Sequence, residues 1–350
     1  MRVCRPAIVV ACAALALAAG SGRVLAQTDS TSQPARDIGE ARRALNEGRY
    51  AEVERILGDG AVTDPDRATL RALAAAAVGR DQDAETILRA ASDRYPVSDA
   101  SLELGLLVRR LGRDDEARRL LRPLVDLPDE ATPRDLMRAG RAARALGEHR
   151  LANDDLRDAA ARLPEDPAIN TAWGELFFEK YNRDEAMRCF QAALHRDPQS
   201  VEALLGLARA TAAGDLAGAL AAVRRALEVN PSSADAHVLM ASLLLDAGYE
   251  DAAREAVRRA LAINVRNLEA HAILAAIAYL DNRPADFEQA IARALAINRT
   301  YGEAYRVVAA QLAHHYRFDD AVTVARRAVA LDPDNVRARA DLGMDLLRTG

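Results

Sequence analysis

Residues Asp166–Pro198 read DPAINTAWGELFFEKYNRDEAMRCFQAALHRDP and contain two helical patterns of about a dozen residues each. The first carries Trp173, Gly174, Phe177 and Tyr181, the second Ala186, Phe190, Ala193 and Leu194, and Tyr181-Asn182-Arg183 separates them. Such a pair folds as an antiparallel hairpin. Small Gly174 and Ala186 mark the place where the two backbones approach most closely, with the aromatic side chains filling the space around the crossing.

The pattern recurs along the chain. In the second helices a small residue returns at Ala84, Ala117, Ala152, Ala186, Ala219, Ala253 and Ala321, with Phe287 in the same phase, at intervals of 33 to 35 residues. A second series runs seven residues later through Ala91, Leu124, Ala159, Ala193, Ala226, Ala260, Ala294 and Ala328. Glycine or alanine also recurs in the first helices, at Gly105, Gly140, Gly174, Gly206, Ala241, Ala275, Ala309 and Gly343. A helical glycine costs roughly 1 kcal/mol relative to alanine, so its reuse points to close helix contact. Turns are expected near Gly79, Gly112, Gly147, Gly214, Gly248 and Gly350, each with a left-handed glycine. Asp166-Pro167, Asp197-Pro198, Asn230-Pro231 and Asp332-Pro333 are expected to open the next helix as cap and first residue.

The motif Trp173-Gly174, Phe177, Ala186, Phe190, Ala193 and Pro198 resembles the tetratricopeptide repeat, in which an aromatic, Leu-Gly and an aromatic precede Ala, an aromatic, Ala and a closing Pro. Asn170 departs at the first aromatic place and Trp173 takes the Leu place. The resemblance implies an all-α fold, a right-handed solenoid of stacked helical hairpins, and a role in protein–protein interaction without catalytic residues or cofactors. Residues 35–335 divide into about nine such hairpins. The first is irregular around Gly58 and Gly60, and 336–350 form the first helix of an incomplete repeat or a cap. That helix is expected to leave Leu342, Leu346 and Leu347 uncovered. The C-terminal units, DDAVTVARRAVALDPDNVRARADLGMDLLRTG among them, also resemble the repeat region of exported bacterial proteins that continue into a zinc metallopeptidase-like domain.

Met1–Ala26 reads as a cleavable export signal. Arg2 and Arg5 precede an apolar run from Ala7 to Ala19, and Val24-Leu25-Ala26 places small residues where a signal peptidase cuts, before Gln27. Cys12 is a poor lipoprotein site because most of the apolar run follows it. Residues 27–34 read as a polar leader. Loss of Arg2, Arg5 and Arg23 takes the formal charge from −5 to −8, which with no basic block disfavours nucleic acid as a partner. Cleavage also leaves Cys189 as the single thiol, a small buried hydrophobe beside Phe190. The expected location is periplasmic or extracellular, without integral membrane association.

No HExxH, G-x-S-x-G, P-loop or G-x-G-x-x-G occurs, and the chain is read as a non-enzyme. His237 and His271 stand one repeat apart and are read as packing residues rather than metal ligands, and His314-His315-Tyr316 supplies too few ligands for zinc. First helices of a solenoid line its concave side. Inward residues are expected to include Glu175, Phe178, Leu245, Asp246, Tyr279, Arg306 and His314, a mildly acidic trough with apolar anchors at Phe178, Leu245 and Tyr279. Such a trough suits a peptide or protein segment. The alternatives are a docking arm for a metallopeptidase-like domain and a passive spacer. The mature chain is expected to be elongated, each hairpin touching mainly its neighbours.

Overall fold

A computed structural model describes residues 33–58, 64–128 and 130–349. The export signal, its cleavage position, Gly60 and Gly350 lie outside the described residues. Within them the chain forms nineteen helices. Hairpins are made by α1 (Gln33–Asn46) with α2 (Tyr50–Leu57), α3 (Pro65–Ala77) with α4 (Asp81–Arg94), and α5 (Asp99–Arg110) with α6 (Asp114–Val125). They continue with α7 (Pro133–Ala145) and α8 (His149–Arg162), α9 (Pro167–Glu179) and α10 (Arg183–Arg196), and α11 (Val201–Thr211) and α12 (Leu216–Val229). The last are α13 (Ala234–Asp246) with α14 (Glu250–Ile263), α15 (Leu268–Leu280) with α16 (Pro284–Ile297), and α17 (Glu303–His314) with α18 (Phe318–Leu331), followed by α19 (Val336–Thr349).

Hairpin packing follows the small-residue series. Ala84, Ala152, Ala186, Ala219, Ala253 and Ala321 are fully buried, as is the later series at Ala91, Ala159, Ala193, Ala226, Ala260, Ala294 and Ala328. Phe190, 1 % exposed, is clasped between two first helices: a Cβ on Gly174 would lie 2.8 Å from its ring, and one on Gly206 only 2.3 Å away. Both glycines are therefore steric requirements of one aromatic side chain. Cys189 is buried beside it, and burial pushes its thiol up to about 11, leaving it protonated and unreactive at neutral pH.

The caps differ from the sequence reading. Asp166 does cap α9, accepting from Ala168 N and Ile169 N with Pro167 at the first helical position. Asp197, Asn230 and Asp332, however, end α10, α12 and α18, and the next helices are capped instead by Ser200, Ser233 and Asn335. The short segment after each Pro needs its own turn before the next helix can start. Asp197 Oδ1 supplies one by accepting from Gln199 N at 3.1 Å. Gly79, Gly112, Gly147 and Gly248 are left-handed as expected, but Gly214 is not, because α11 stops early at Thr211 and a longer loop follows. Tyr181, Asn282 and Tyr316 occupy the same left-handed turn position without being glycine.

The solenoid does not stay open. Between five and six repeats further along the chain, a second superhelical turn lies against the first. Asn264 Nδ2 donates to Ala76 O at 3.3 Å and Asn298 Nδ2 to Arg110 O at 3.1 Å, across 188 residues in each case. Tyr50 Oη donates to Ser232 O and accepts from Asn230 Nδ2, both at 3.2 Å, while Arg266 pairs with Asp81 at 2.7 Å. Asn230, Asn264 and Asn298 sit directly over the left-handed Gly48, Gly79 and Gly112, where a Cβ would come within 2.0 to 2.5 Å of the amide oxygen. This ladder overturns the expectation of a chain without long-range closure. At the next step Asp332 takes the place of asparagine, and Gly147 has nothing within 4 Å of a Cβ position.

The last helix also departs from expectation in part. Leu346 and Leu347 are exposed, but Leu342 is half-buried against the core that α15 to α18 build.

Candidate protein-binding surface: inner wall and seam cleft

First-turn residues of the first helices line the inner wall, and they fall into two groups. In the first superhelical turn their charges are neutralised in place: Arg134 of α7 bridges Asp66 of α3 at 2.6 Å and Asp99 of α5 at 2.5 Å, and Arg138 reaches Asp99 at 2.7 Å. At the far end Glu303 pairs with Arg306 at 2.6 Å. Between them, Glu202 of α11 and Glu269 of α15 have no ion-pair partner within 4.0 Å among the described residues, and Asp235 of α13 accepts only from Asn267 Nδ2 at 3.2 Å. Glu202, Asp235 and Glu269 are exposed on this wall; desolvation by the surrounding helices raises the Glu202 carboxyl, against the attraction of Arg141, and Glu175, Glu103 and Asp235 add repulsion in the same upward direction. The same desolvation raises Glu269, with Asp235 adding to it. Carboxyls from α5, α9, α11 and α13 thus act on one another across a shared interior.

Where the two superhelical turns meet on this side, a cleft of about 550 Å³ opens. One side carries Leu45, Leu70, Leu73 and Ala77 of α1 and α3, together with Arg42, Asn46, Tyr50 and Arg110. The other is formed by the starts of α9, α11 and α13, with Thr171, Ser200, Glu202, Leu205 and Asp235. Asn230 also lines it, 4 % exposed, with its Oδ1 lacking any donor. The equivalent oxygens of Asn264 and Asn298 each accept a backbone N–H at 2.9 Å, from Arg266 and Thr300.

The residues expected on one trough separate. Glu175 lies on the inner wall in an ion pair with Arg144; against burial, which pushes it up, Arg144 and Arg141 hold its carboxyl below the usual range. Phe178 is half-buried against the Phe190 cluster. Leu245 is 2 % exposed and belongs to the core, so it offers no anchor: α13 is packed on both flanks, and the inward stripe is narrower than an amphipathic reading assumes. Asp246 is exposed and accepts from Gln311 Nε2 at 2.5 Å. Tyr279 turns toward α16 and α18, edge-on to Phe287 with centroids 5.2 Å apart and under the Arg317 guanidinium, in a separate cleft of about 440 Å³. It therefore does not share a surface with Phe178. Arg306 is held by Glu303 and by Asp341 at 2.9 Å, tying α17 to α19. His314 is exposed at the end of α17.

The two repeat-related histidines are structural. His237 and His271 rings bond through Nε2 to Pro231 O at 3.2 Å and Val265 O at 2.9 Å, clasping the segment before their own helix, and burial lowers both pKa values. Asn170 makes the same clasp to Pro164 O at 2.9 Å, which explains its departure from an aromatic residue. Trp173 donates to Asn153 Oδ1 at 3.1 Å and stacks at 5.2 Å from Phe177.

Sequence reasoning overlooked the cleft because one side comes from α1 and α3 and the other from α9, α11 and α13, several repeats further along the chain. Its one sequence signal was asparagine at 230, 264 and 298, in phase with Asp197 and Asp332. It also passed over Asp155, whose repeat equivalents Ile87, Leu120, Cys189, Ala222, Ala256, Ala290 and Val324 are all apolar. Among the described residues no helix is long and apolar enough to cross a membrane.

Two tetratricopeptide-repeat family models match the chain, one over residues 210–277 and the other over 69–131 and 171–213. A chain in the crystal structure of the APC/C hetero-tetramer Cut9-Hcn1 is similar in fold, with TM-score 0.59 and 14% identity over 91% of this chain and 64% of that one. The present chain thus spans under two thirds of that relative. TTC0263, a thermophilic TPR protein of Thermus thermophilus, aligns at TM-score 0.41 and 18% identity over 62% of this chain and 100% of its own. No curated protein sequence matches. With its repeated hairpins and glycine-clasped Phe190, the chain folds as a solenoid of stacked helical hairpins, and residues 69–131 and 171–277 of it match tetratricopeptide-repeat models.

Proposed function

We propose that the chain is a protein-interaction scaffold that receives an extended segment of another protein along its inner wall, with the seam cleft as the principal contact. The observation that carries this reading is the cleft itself: about 550 Å³, lined by apolar and polar side chains together and drawn from both superhelical turns, with α1, α2, α3 and α5 on one side and α9, α11 and α13 on the other. A backbone lying there has polar groups for its N–H and C=O groups and apolar side chains such as Leu45, Leu70, Leu73 and Leu205 for its own. The proposal keeps the export signal in Met1–Ala26, so the partner is met in the periplasm or outside the cell. In the docking-arm alternative the bound segment belongs to a metallopeptidase-like domain of the same polypeptide.

Selection of random displayed peptides against residues 27–350 tests the proposal. Enrichment on the wild type should disappear with Leu73→Glu, a change at a half-buried cleft residue, while circular dichroism stays helical. No enrichment above background would abandon the proposal in favour of the spacer. Enrichment unaffected by a folded Leu73→Glu would move the site away from the cleft.

A further inference from the structure

We propose that the seam between the two superhelical turns is a zipper that opens from its C-terminal end, where Asp332 stands in place of a fourth asparagine, while every hairpin stays folded. Among the described residues each apolar cluster joins hairpins that follow one another in the chain, such as α3 to α7 or α13 to α19, and none bridges the first turn and the second. What holds the seam is polar. Beside the asparagine ladder and the Arg266–Asp81 pair, Asn46 Nδ2 donates to Gln199 O at 2.9 Å and Asn46 Oδ1 accepts from Val201 N at 3.3 Å. Leu70 and Leu73 lie across the seam from Leu205, but they line opposite sides of the cleft of about 550 Å³. When the turns part, each polar bond is exchanged for one with water, whereas parting two packed hairpins exposes apolar surface; the seam is therefore the interface that opens first.

The ladder also fixes where opening starts. Asn264 and Asn298 each donate Nδ2 to a carbonyl at the C-terminal end of a first helix, Ala76 of α3 and Arg110 of α5. Asp332 holds the same place at the end of α18, facing the end of α7. A carboxylate has no hydrogen to give a carbonyl, and the negative end of the helix dipole repels it. The ion pair of the second rung is not repeated, because the places of Asp81 and Arg266 are taken by His149, the first residue of α8, and Asp334. Here the turns stand apart: no neighbouring atom comes within 4 Å of a Cβ on Gly147, and a cleft of about 640 Å³ separates Arg118, Leu121 and Leu146 from Asp332, Asn335 and Arg337. The fourth rung is thus already unlatched, and opening propagates from it through Asn298 to Asn264. An opened seam admits to the inner wall a segment without a free end, which a closed superhelix takes only by threading; the zipper itself does not depend on the scaffold reading.

Pairs of spin labels on residues 27–350 carrying Cys189→Ala read the opening by double electron–electron resonance. One pair, at Gln82→Cys and Val265→Cys, flanks the second rung, and the other, at Arg118→Cys and Arg337→Cys, flanks the fourth; all four residues are exposed. The wild type should give a narrow distance distribution at the second rung and a broad one at the fourth. Asp332→Asn should narrow the fourth-rung distribution and shift it to shorter distance, whereas Asp332→Ala, which removes the charge without supplying a donor, should not. Asn298→Asp should broaden the fourth rung further while the second stays narrow, and adding Asn264→Asp should broaden the second rung with the circular dichroism spectrum unchanged. Equal widths at the two rungs of the wild type, or an Asp332→Asn distribution indistinguishable from wild type, overturns the direction of opening. An equal closure by Asp332→Ala overturns the part given to the missing donor. A second-rung distribution that broadens only when helicity is lost overturns the zipper altogether.

Discussion

Asp155→Ala should stabilise the protein, and more so at high pH. Asp155 sits in α8 at a position that is Ile, Leu, Cys, Ala or Val in seven other repeats; it is 8 % exposed, and its Oδ2 has no donor. Burial first, then the neighbouring Asp158 and Asp154, push its carboxyl from the ordinary 3.8 up to about 6. At about 1.4 kcal/mol per pH unit this is a ceiling of roughly 3 kcal/mol on the cost of keeping it ionised. The repulsion from Asp154 and Asp158 acts partly through solvent, so about half that figure, ~1.5 kcal/mol, is expected. Replacing Asp by the better helix former Ala adds ~0.5 kcal/mol at every pH. The folded carboxyl binds its proton more tightly than the unfolded one, so the penalty is absent below about pH 4, grows between pH 4 and 6, and is complete above 6. Urea unfolding followed by circular dichroism at pH 4, 6 and 8 should show an Asp155→Ala advantage of ~0.5 kcal/mol rising to ~2 kcal/mol. Asp155→Asn should reproduce only the pH-dependent part. An advantage that does not change with pH, or a variant less stable than wild type at pH 8, would refute the reasoning.

Three further outcomes follow from the packing. Asn264→Ala removes the bond to Ala76 O, which keeps Gly79 N as a donor at 3.0 Å, so the loss should be ~1 kcal/mol, with an increase in the radius of gyration by X-ray scattering and no loss of helicity; an unchanged radius would mean the turns are held elsewhere. Gly206→Ala brings a Cβ to 2.3 Å from the Phe190 ring and should cost ~1–3 kcal/mol, largely recovered by Phe190→Leu in the same chain; additive losses in thermal melts would contradict the contact. Tyr181→Gly, at an exposed residue with φ of 59°, should stabilise by up to ~1 kcal/mol as left-handed strain is relieved, and a lower melting temperature would show that the tyrosine ring makes an essential contact.

By itself the sequence determined the repeat. Interleaved small-residue series at a spacing of 33 to 35 specify helical hairpins because close helix approach depends on residues three, four and seven apart, all local in the chain. Trp173, Gly174, Ala186, Phe190 and Ala193 were legible for that reason, and so was the packing role of Cys189. The inner surface was legible only where a side chain's direction follows from its own helix, as for Glu175; Leu245 and Tyr279 failed because a neighbouring hairpin covers one and α16 and α18 surround the other. Only the tertiary structure decided which acids stay unpaired, since Arg134 reaches Asp66 across 68 residues. It alone also brought α1 and α3 against α11 and α13. A small rotation between successive hairpins, repeated over five to six of them, sets whether the superhelix closes on itself. That rotation is a sum of many packing contacts, none of which is written at a single position, and asparagines 230, 264 and 298 secure the closure once the rotation has brought glycines 48, 79 and 112 beneath them.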